Sequence, residues 1–209
     1  MIGVYDGRPN VTRSGSGGRA IVTVPAVEPI ATADAKLFAR VESATTADDG
    51  LFASLIVSAR RAIEAFTGRA LMTQTWDWFL DEAPGEILEI PLPPLQTITG
   101  VYFTSSAGTE GAAISSSLYT VDVARNRVLL NDGSSWGYTD LRSFRGTRVR
   151  FVAGYGATAS DASVPTVGSA PADILLACRR MVLESYEGRG PEMPPDVTRL
   201  LAPFRKVSA

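Results

Sequence analysis

The apolar residues of this chain change their spacing twice between its two ends. They recur at helical intervals over 47–66, alternate with polar residues through most of 73–153, and return to helical intervals over 171–187. Short strands that follow one another without intervening helices pair antiparallel in most folds. The order therefore predicts an α+β fold, in which a helical layer or bundle accompanies an antiparallel β lobe of about six short strands.

Signals at the helix ends refine the helical part of this prediction. Thr46 is of a residue type that caps helix N-termini, and Gly68 suits a C-terminal cap. Pro171 lies where the first turn of a helix tolerates proline. Together with the apolar stripes, these residues predict two N-terminal helices and one long C-terminal helix, over 32–41, 47–66 and 171–187.

The two ends of the chain differ from the predicted central domain, 30–190. Residues 1–29 are rich in Gly, Ser and Arg and lack periodicity, which predicts an N-terminal arm. This arm is either flexible or an extended strand laid on a neighbour. Residues 191–209 contain a short amphipathic stretch, Asp196–Ala202, between prolines. That pattern is typical of a peptide that packs on a partner, and a terminal helix packed on its own core is the alternative.

The composition excludes several classes of catalytic and metal site. The chain has no histidine and one cysteine, Cys178, so it lacks the residues for a Ser-His-Asp or Cys-His arrangement, a Cys/His zinc site or an internal disulfide. Cys178 falls on the apolar face of the predicted C-terminal helix, where a cysteine acts as a small hydrophobic residue. We therefore expect no catalytic residue, no cofactor and no metal, in a protein that is not an enzyme.

Charge and hydropathy narrow the range of partners. The formal net charge is −2, whereas domains that bind DNA tightly carry a basic excess. No apolar run is long enough to span a membrane, and the N-terminal residues do not match a secretory signal. We expect a protein made in a bacterial cytoplasm, with no membrane partner.

One local cluster departs from this near-neutral balance. The densest group of basic residues is Arg142, Arg145, Arg148 and Arg150, with Phe144 among them. Arginines with a nearby aromatic ring can contact nucleic acid, which would make them residues of a DNA channel. The alternative is the solvated side of an edge strand, where arginines block edge-to-edge pairing.

Two tryptophans offer a different function. Trp76 and Trp78 are expected to lie on one face of a strand, because alternate residues of a strand share a face. Such a pair can form a ligand-binding surface for a sugar or a peptide, although packing in a core or an interface is the more common role. A ligand-binding β module therefore remains an alternative.

Several short motifs, in one order along the chain, resemble those of the head–tail connector (adaptor) proteins of tailed phages. The motifs are Ala65–Leu71 followed by Thr73–Asp77, Ile90–Gln96 followed by Ile98–Phe103, Tyr119–Asp122, Val152–Gly156 and Leu200–Arg205. The resemblance rests on their joint order over residues 30–206. The arm, 1–29, falls outside it, and the loop 157–170 is longer than the family pattern.

The resemblance implies a structural role at the virion neck, the interface between head and tail. It implies a homo-oligomeric, dodecameric ring under the portal protein that continues the DNA channel and has non-specific, passing contact with double-stranded DNA. A downstream stopper or other neck protein would bind the far side of the ring. The source would be a tailed phage or a gene-transfer particle, and another neck or tail component, such as a stopper or tail terminator, is the nearest alternative.

The resemblance also implies a role for the C-terminal segment, which typically docks on the portal. Carried over to this chain, the portal-docking residues are Leu200, Leu201, Pro203, Phe204, Arg205 and Lys206. The apolar members of this set would be the anchors, and the two basic residues would lie at the rim.

Overall fold

The computed structural model describes residues 10–12, 17–81, 83–156, 170–188, 190 and 192–206. These residues form two compact units. The helical unit comprises the described residues of 25–73 and 154–207, and the β unit comprises those up to residue 24 together with 74–153. The fold is thus mixed α and β, and the strands within 74–153 lie between the helices in sequence, as the change of period predicts.

The helical unit contains four α-helices that share one apolar core. They are α1 (Thr32–Phe38), α2 (Asp49–Thr67), α3 (Ala172–Tyr186) and α4 (Pro195–Leu201). Phe52 and Ile63 of α2, Ile174 and Val182 of α3, and Val197 of α4 are all completely buried in this core. Each helix buries one stripe of its surface against the others, which is the packing that helical periodicity favours.

The helix ends differ from the sequence-based bounds. Helix α1 ends at Phe38, not at 41, because Arg40 adopts a left-handed conformation and the Val41 N–H donates to the Lys36 carbonyl at 2.9 Å. Helix α2 begins after Asp48, so the predicted Thr46 cap is wrong; no side chain caps this end. At its other end Gly68 has φ 67°, the left-handed cap that the sequence predicts.

The β unit has two four-stranded sheets, so its described residues form eight strands instead of about six. The strand order is β1-β4-β7-β6 in the first sheet and β2-β3-β8-β5 in the second. The strands are β1 (Val11–Thr12), β2 (Gly18–Thr23), β3 (Gln74–Leu80), β4 (Ile87–Glu89), β5 (Leu95–Phe103), β6 (Tyr119–Asp122), β7 (Arg127–Leu130) and β8 (Thr147–Ala153).

The two additional strands come from the predicted N-terminal arm. Strand β2 pairs antiparallel with β3 of the same chain, and β1 pairs parallel with β4, so the unit is not purely antiparallel. Neither strand has an apolar–polar alternation long enough to be recognised, because β1 has two residues and all six residues of β2 are exposed. Their pairing depends on contacts with residues far along the chain.

Large apolar residues fill the interior of the second sheet. Trp78 of β3 is paired in register with Val149 of β8, which is also in register with Val101 of β5. All three side chains are completely buried. This row of cross-strand neighbours shares one face of the sheet, and burial of such a row is a main source of sheet stability.

Candidate functional site

The predicted basic cluster divides between a loop and an interior strand. Arg148 and Arg150 lie on β8, which is hydrogen-bonded to β3 on one side and to β5 on the other. The edge-strand interpretation is therefore wrong. Alternation along a strand shows which side chains share a face, but it carries no information on the order of strands in a sheet.

The two strand arginines converge on one buried carboxylate. Arg150 donates to Asp77 from Nε at 2.8 Å and from Nη2 at 2.9 Å, and Arg148 Nη1 lies 3.3 Å from the same side chain. Arg148 also donates to Glu110 at 2.6 Å, and its guanidinium lies 3.9 Å from the centre of the Tyr102 ring. These charges brace three adjacent strands and do not form a free basic surface.

The pKa of Asp77 reflects this environment. Burial acts to raise the pKa of its carboxyl, but the hydrogen bonds from Arg150 and the positive charges of Arg148 and Arg150 outweigh burial and lower the pKa below its ordinary value. Asp77 is consequently ionised at neutral pH and balances part of the positive charge beside it.

The other two arginines hold the loop 131–146, which connects β7 to β8. Arg142 donates from Nε to the Phe144 carbonyl at 2.6 Å and from Nη2 to the Arg145 carbonyl at 3.3 Å. The Arg145 guanidinium lies 3.8 Å from the centre of the Phe79 ring, and the Arg145 N–H donates to Asp81 at 2.8 Å. All four predicted arginines thus have partners within the β unit.

The tryptophans do not form a paired surface. Trp78 is completely buried, so it is inaccessible to a ligand, and Trp76 is half-buried. Trp136 is also buried, and its indole N–H donates to the Gly85 carbonyl at 2.9 Å. This geometry favours the packing role for these residues over the ligand-binding alternative.

The predicted portal-docking segment is held against its own chain. Leu201 is completely buried in the core of the helical unit, and Leu200 and Phe204 pack on the same core as half-buried residues. Arg69 Nε donates to the Phe204 carbonyl at 2.6 Å, and the Lys206 N–H donates to the Thr67 carbonyl at 2.7 Å. Leu201 therefore agrees with the alternative prediction, in which the terminal helix packs on the core of its own chain.

The other residues of the predicted portal-docking set are partly accessible to solvent. Pro203 and Arg205 are exposed, and Lys206 is half-buried. The Arg205 guanidinium lies 5.5 Å from the centre of the Phe66 ring at the end of α2. The accessible part of the segment thus lies beside α4, whose Leu201 is completely buried.

Other chemistry is limited in the described residues. No group of three or more His, Cys, Asp or Glu side chains could hold a metal ion there. Burial raises the pKa of the Cys178 thiol to about 12, so this thiol is protonated and unreactive at neutral pH. Within the same described ranges, no helix combines the length and apolar character that crossing a bilayer needs.

Sequence reasoning missed two buried cations in the helical unit. Arg60 donates to Glu28 at 2.7 Å and to Glu64 at 2.9 Å, and it is almost completely buried. Lys36 donates to the Ser43 carbonyl, and it also pairs with Asp49 at 2.8 Å. The only signal for Arg60 was its helical spacing from Ile56 and Ile63, and basic residues in such positions are more often exposed at their tips.

The fold has counterparts among solved structures, although no family model and no curated protein matches this chain. A chain in the neck of an empty gene transfer agent (GTA) particle, computed with C6 symmetry, is 22% identical, with a TM-score of 0.73 over 92% of this chain and 97% of that one. A chain in the virion of a native GTA particle is also 22% identical, with a TM-score of 0.69 over 91% of this chain and 96% of that one.

A third structure extends this likeness. A chain in the neck of a native GTA particle, computed with C12 symmetry, is 22% identical and has a TM-score of 0.61 over 90% of this chain and 97% of that one. The protein therefore shares its fold with chains of GTA particles over nearly their whole length. At this identity the likeness establishes a common fold.

Proposed function

We propose that this protein is a structural, non-enzymatic head–tail connector (adaptor) in the neck of a tailed phage or a gene-transfer particle. The observation that carries the proposal is the fold it shares with chains of GTA neck structures, over 90% or more of both partners. The order of motifs that resembles the adaptor family is independent support, since it was recognised in the sequence alone.

In this proposal the protein acts as a closed ring of identical subunits. The neck structures that share its fold were computed with C6 and C12 symmetry, which supports a ring with either number of repeats. A closed ring requires each subunit to contact the next through two different surfaces. The portal protein would bind one side of the ring and a stopper or other neck protein the other.

The electrostatics suit a channel that passes DNA without retaining it. The formal net charge is −2, and the arginines that could bind phosphates are paired with Asp77 and Glu110 or hold the loop 131–146. Tight binding to DNA requires several free cations that displace counterions. We therefore propose only passing, non-specific contact with double-stranded DNA.

The portal-docking surface is proposed for the accessible part of the C-terminal segment. Pro203 and Arg205 would contact the portal directly, together with the outer parts of Leu200, Phe204 and Lys206, while Leu201 holds α4 in place. An Arg205→Glu variant reverses a rim charge, and Arg199→Glu is a matched control on an exposed position of α4.

Light scattering of the purified protein, alone and mixed with its portal, tests the proposal. We expect a ring, or a monomer that assembles only on the portal, and weaker portal binding for Arg205→Glu than for Arg199→Glu. A chain that stays monomeric and ignores the portal would refute the adaptor function. A chain that binds only a preformed portal–adaptor complex would be a stopper, and one that binds only the tail would be a tail terminator.

A further inference from the structure

The two most exposed large apolar side chains of the described residues lie on different units. Phe144, in the loop 131–146 of the β unit, is 63% exposed, and Leu37, on α1 of the helical unit, is 78% exposed. A single exposed apolar residue is common on protein surfaces. What distinguishes these two is the rigid support around Phe144 and the depression beside Leu37.

The loop holds Phe144 in one outward position. Its neighbour Arg145 has φ 50°, a left-handed conformation that is strained for a residue with a side chain. The Arg142 side chain bonds the carbonyls of Phe144 and Arg145, and the Arg142 N–H donates to the Thr104 carbonyl at 2.9 Å. A loop held by this many hydrogen bonds presents the exposed Phe144 ring with little entropy left to lose on binding. We refer to Phe144 in this setting as the Phe144 knob.

The chemistry of the knob favours a protein partner over nucleic acid. The two nearest guanidinium groups are engaged, that of Arg142 with carbonyls and that of Arg145 with the Phe79 ring. Phosphate recognition needs such groups to be available, and the bases of a duplex are already stacked on one another. An exposed aromatic side chain on a well-held loop is instead typical of protein interfaces, where Tyr, Trp and Phe are enriched.

A depression on the helical unit offers a complementary surface. It lies between α1 and α3 and is lined by Leu37, Phe38, Leu176, Arg40 and Arg179, with Asp34 at its side. An adjoining depression shares Phe38 and Arg40 and continues along α3 past Leu183, where Arg180, Glu184 and Glu187 also line it. We refer to the two together as the α1–α3 groove.

Two cations at the groove suit an aromatic guest. Arg40 and Arg179 form no ion pair with any residue that the structure describes. The left-handed turn after α1 fixes the backbone of Arg40, whose N–H donates to the Leu37 carbonyl at 3.1 Å. A guanidinium is attracted to the face of an aromatic ring, so a depression lined by apolar side chains and two arginines fits a phenyl group.

We propose that the Phe144 knob of one copy of this chain occupies the α1–α3 groove of the next copy. This inference rests on the proposed ring, because a closed ring needs two different, complementary patches on each subunit. The chain carries an aromatic knob on one unit and, on the other, a groove where apolar side chains and the two arginines lie together, which meets that requirement. The contact would repeat around the ring.

Site-specific crosslinking between two separately made chains tests the contact. One chain carries Ser143→Cys, at an exposed position beside the knob that leaves Phe144 in place, and the other carries Leu37→Cys. A short bismaleimide is added to their mixture under conditions where the ring forms, alone or on the portal. The native Cys178 is only 1% exposed and leaves the background low. The control replaces Leu37→Cys by Leu51→Cys, a 48% exposed position of the helical unit that does not line the groove.

We expect about ten-fold more crosslinked dimer from the pair 143 and 37 than from the pair 143 and 51, because thiols held close together react at a high effective concentration. Equal yields from the two pairs, in a preparation that contains the ring, would overturn the inference and leave the proposed function standing. A wild-type chain that forms no ring, alone or with its portal, would instead remove the proposed function itself.

A second variant measures how much the Phe144 side chain contributes to ring formation. Phe144→Ser should weaken ring formation by about ten-fold or more in concentration, as loss of an anchor residue does. Val123→Ser is the matched control, since Val123 is a 46% exposed apolar residue of the β unit outside the loop. Both variants should keep the wild-type circular dichroism spectrum. Ring formation by Phe144→Ser at the wild-type concentration would contradict the inference.

Discussion

The helical unit and the β unit use their buried and half-buried cations in different ways. In the helical unit, Arg60 joins an irregular segment at Glu28 to helix α2, and Lys36 joins α1 to the turn that precedes α2. In the β unit, Arg148 and Arg150 join neighbouring strands through Asp77. The first arrangement attaches chain that has no regular structure, and the second reinforces pairing that backbone hydrogen bonds already provide.

This difference indicates where loss of a charge should matter most. When one partner of a buried ion pair is removed, the other is left as an uncompensated charge. The resulting loss of stability is larger when the remaining charge is more deeply buried. Arg60 has a 7% exposed side chain and two carboxylate partners, whereas Arg150 has a 34% exposed side chain and shares Asp77 with Arg148. The helical unit should therefore be more sensitive to removal of one cation.

The largest expected effect is that of Arg60→Ala. Removal of this guanidinium leaves the Glu28 and Glu64 carboxylates close together without a counter-charge, and we expect the free energy of unfolding to fall by about 3 kcal/mol. Urea denaturation measures the change. The adjacent exposed residue of the same helix supplies the control, and Arg61→Ala should cost less than about 0.5 kcal/mol. Similar losses for the two variants would show that the Arg60 pairs do not stabilise the unit.

A smaller effect is expected in the β unit from Asp77→Asn. The asparagine keeps the shape of the side chain but removes the negative charge between Arg148 and Arg150, and Arg148 retains Glu110 as a partner. We expect a loss of about 2 kcal/mol at neutral pH, the scale of hydrogen bonds to a charged group. If this loss exceeded that of Arg60→Ala, the contrast between the two units would be reversed.

The pH dependence sharpens the same test. Because the pKa of Asp77 is lowered in the folded protein, its contribution is complete above the unfolded pKa of about 4 and is lost as pH falls through the lower, folded pKa. The difference in stability between wild type and Asp77→Asn should therefore be constant above about pH 5 and shrink toward about pH 2. A difference that stays constant across that range would mean that the Asp77 charge is not what stabilises the strands.

The smallest effect is expected for an exposed pair. Arg180 on α3 lies 2.6 Å from Asp196 on α4, and both side chains are 50% exposed. Such pairs are screened by water and salt, so Arg180→Ala should change the stability by less than about 0.5 kcal/mol. Denaturation at low and at high salt checks this expectation. A loss comparable to that of Asp77→Asn would show that burial does not control the strength of these pairs.

Part of the architecture was predictable because it depends on local spacing. The helical repeat over 47–66 and the left-handed cap at Gly68 predict α2 within one or two residues of its ends. The alternation of apolar and polar residues within 73–153 predicts the strands there, and β8 follows it by burying Val149 and Phe151 on one face. Strand β2 was not predicted as part of the sheet, since its six exposed residues carry no alternating pattern.

The candidate sites were predicted less well than the elements. The sequence identified Arg142, Arg145, Arg148 and Arg150 as a cluster, but a basic residue and its acidic partner can be far apart in sequence. Arg150 and Asp77 are separated by 73 positions, and Arg148 and Glu110 by 38. Phe144 was noted only as a neighbour of arginines, and its exposure became evident only once the loop was in place.

The sequence by itself determined the helical or strand period of the longer segments, the Gly68 cap that ends α2, and the absence of histidine chemistry. These properties depend on neighbours a few positions apart, and local sterics and composition are enough to set them. The tertiary structure decided the order of strands, the carboxylates that neutralise each arginine, and the burial of Leu201 beside the exposure of Leu37. Those properties depend on which distant segments meet, and that choice follows from the total free energy of packing.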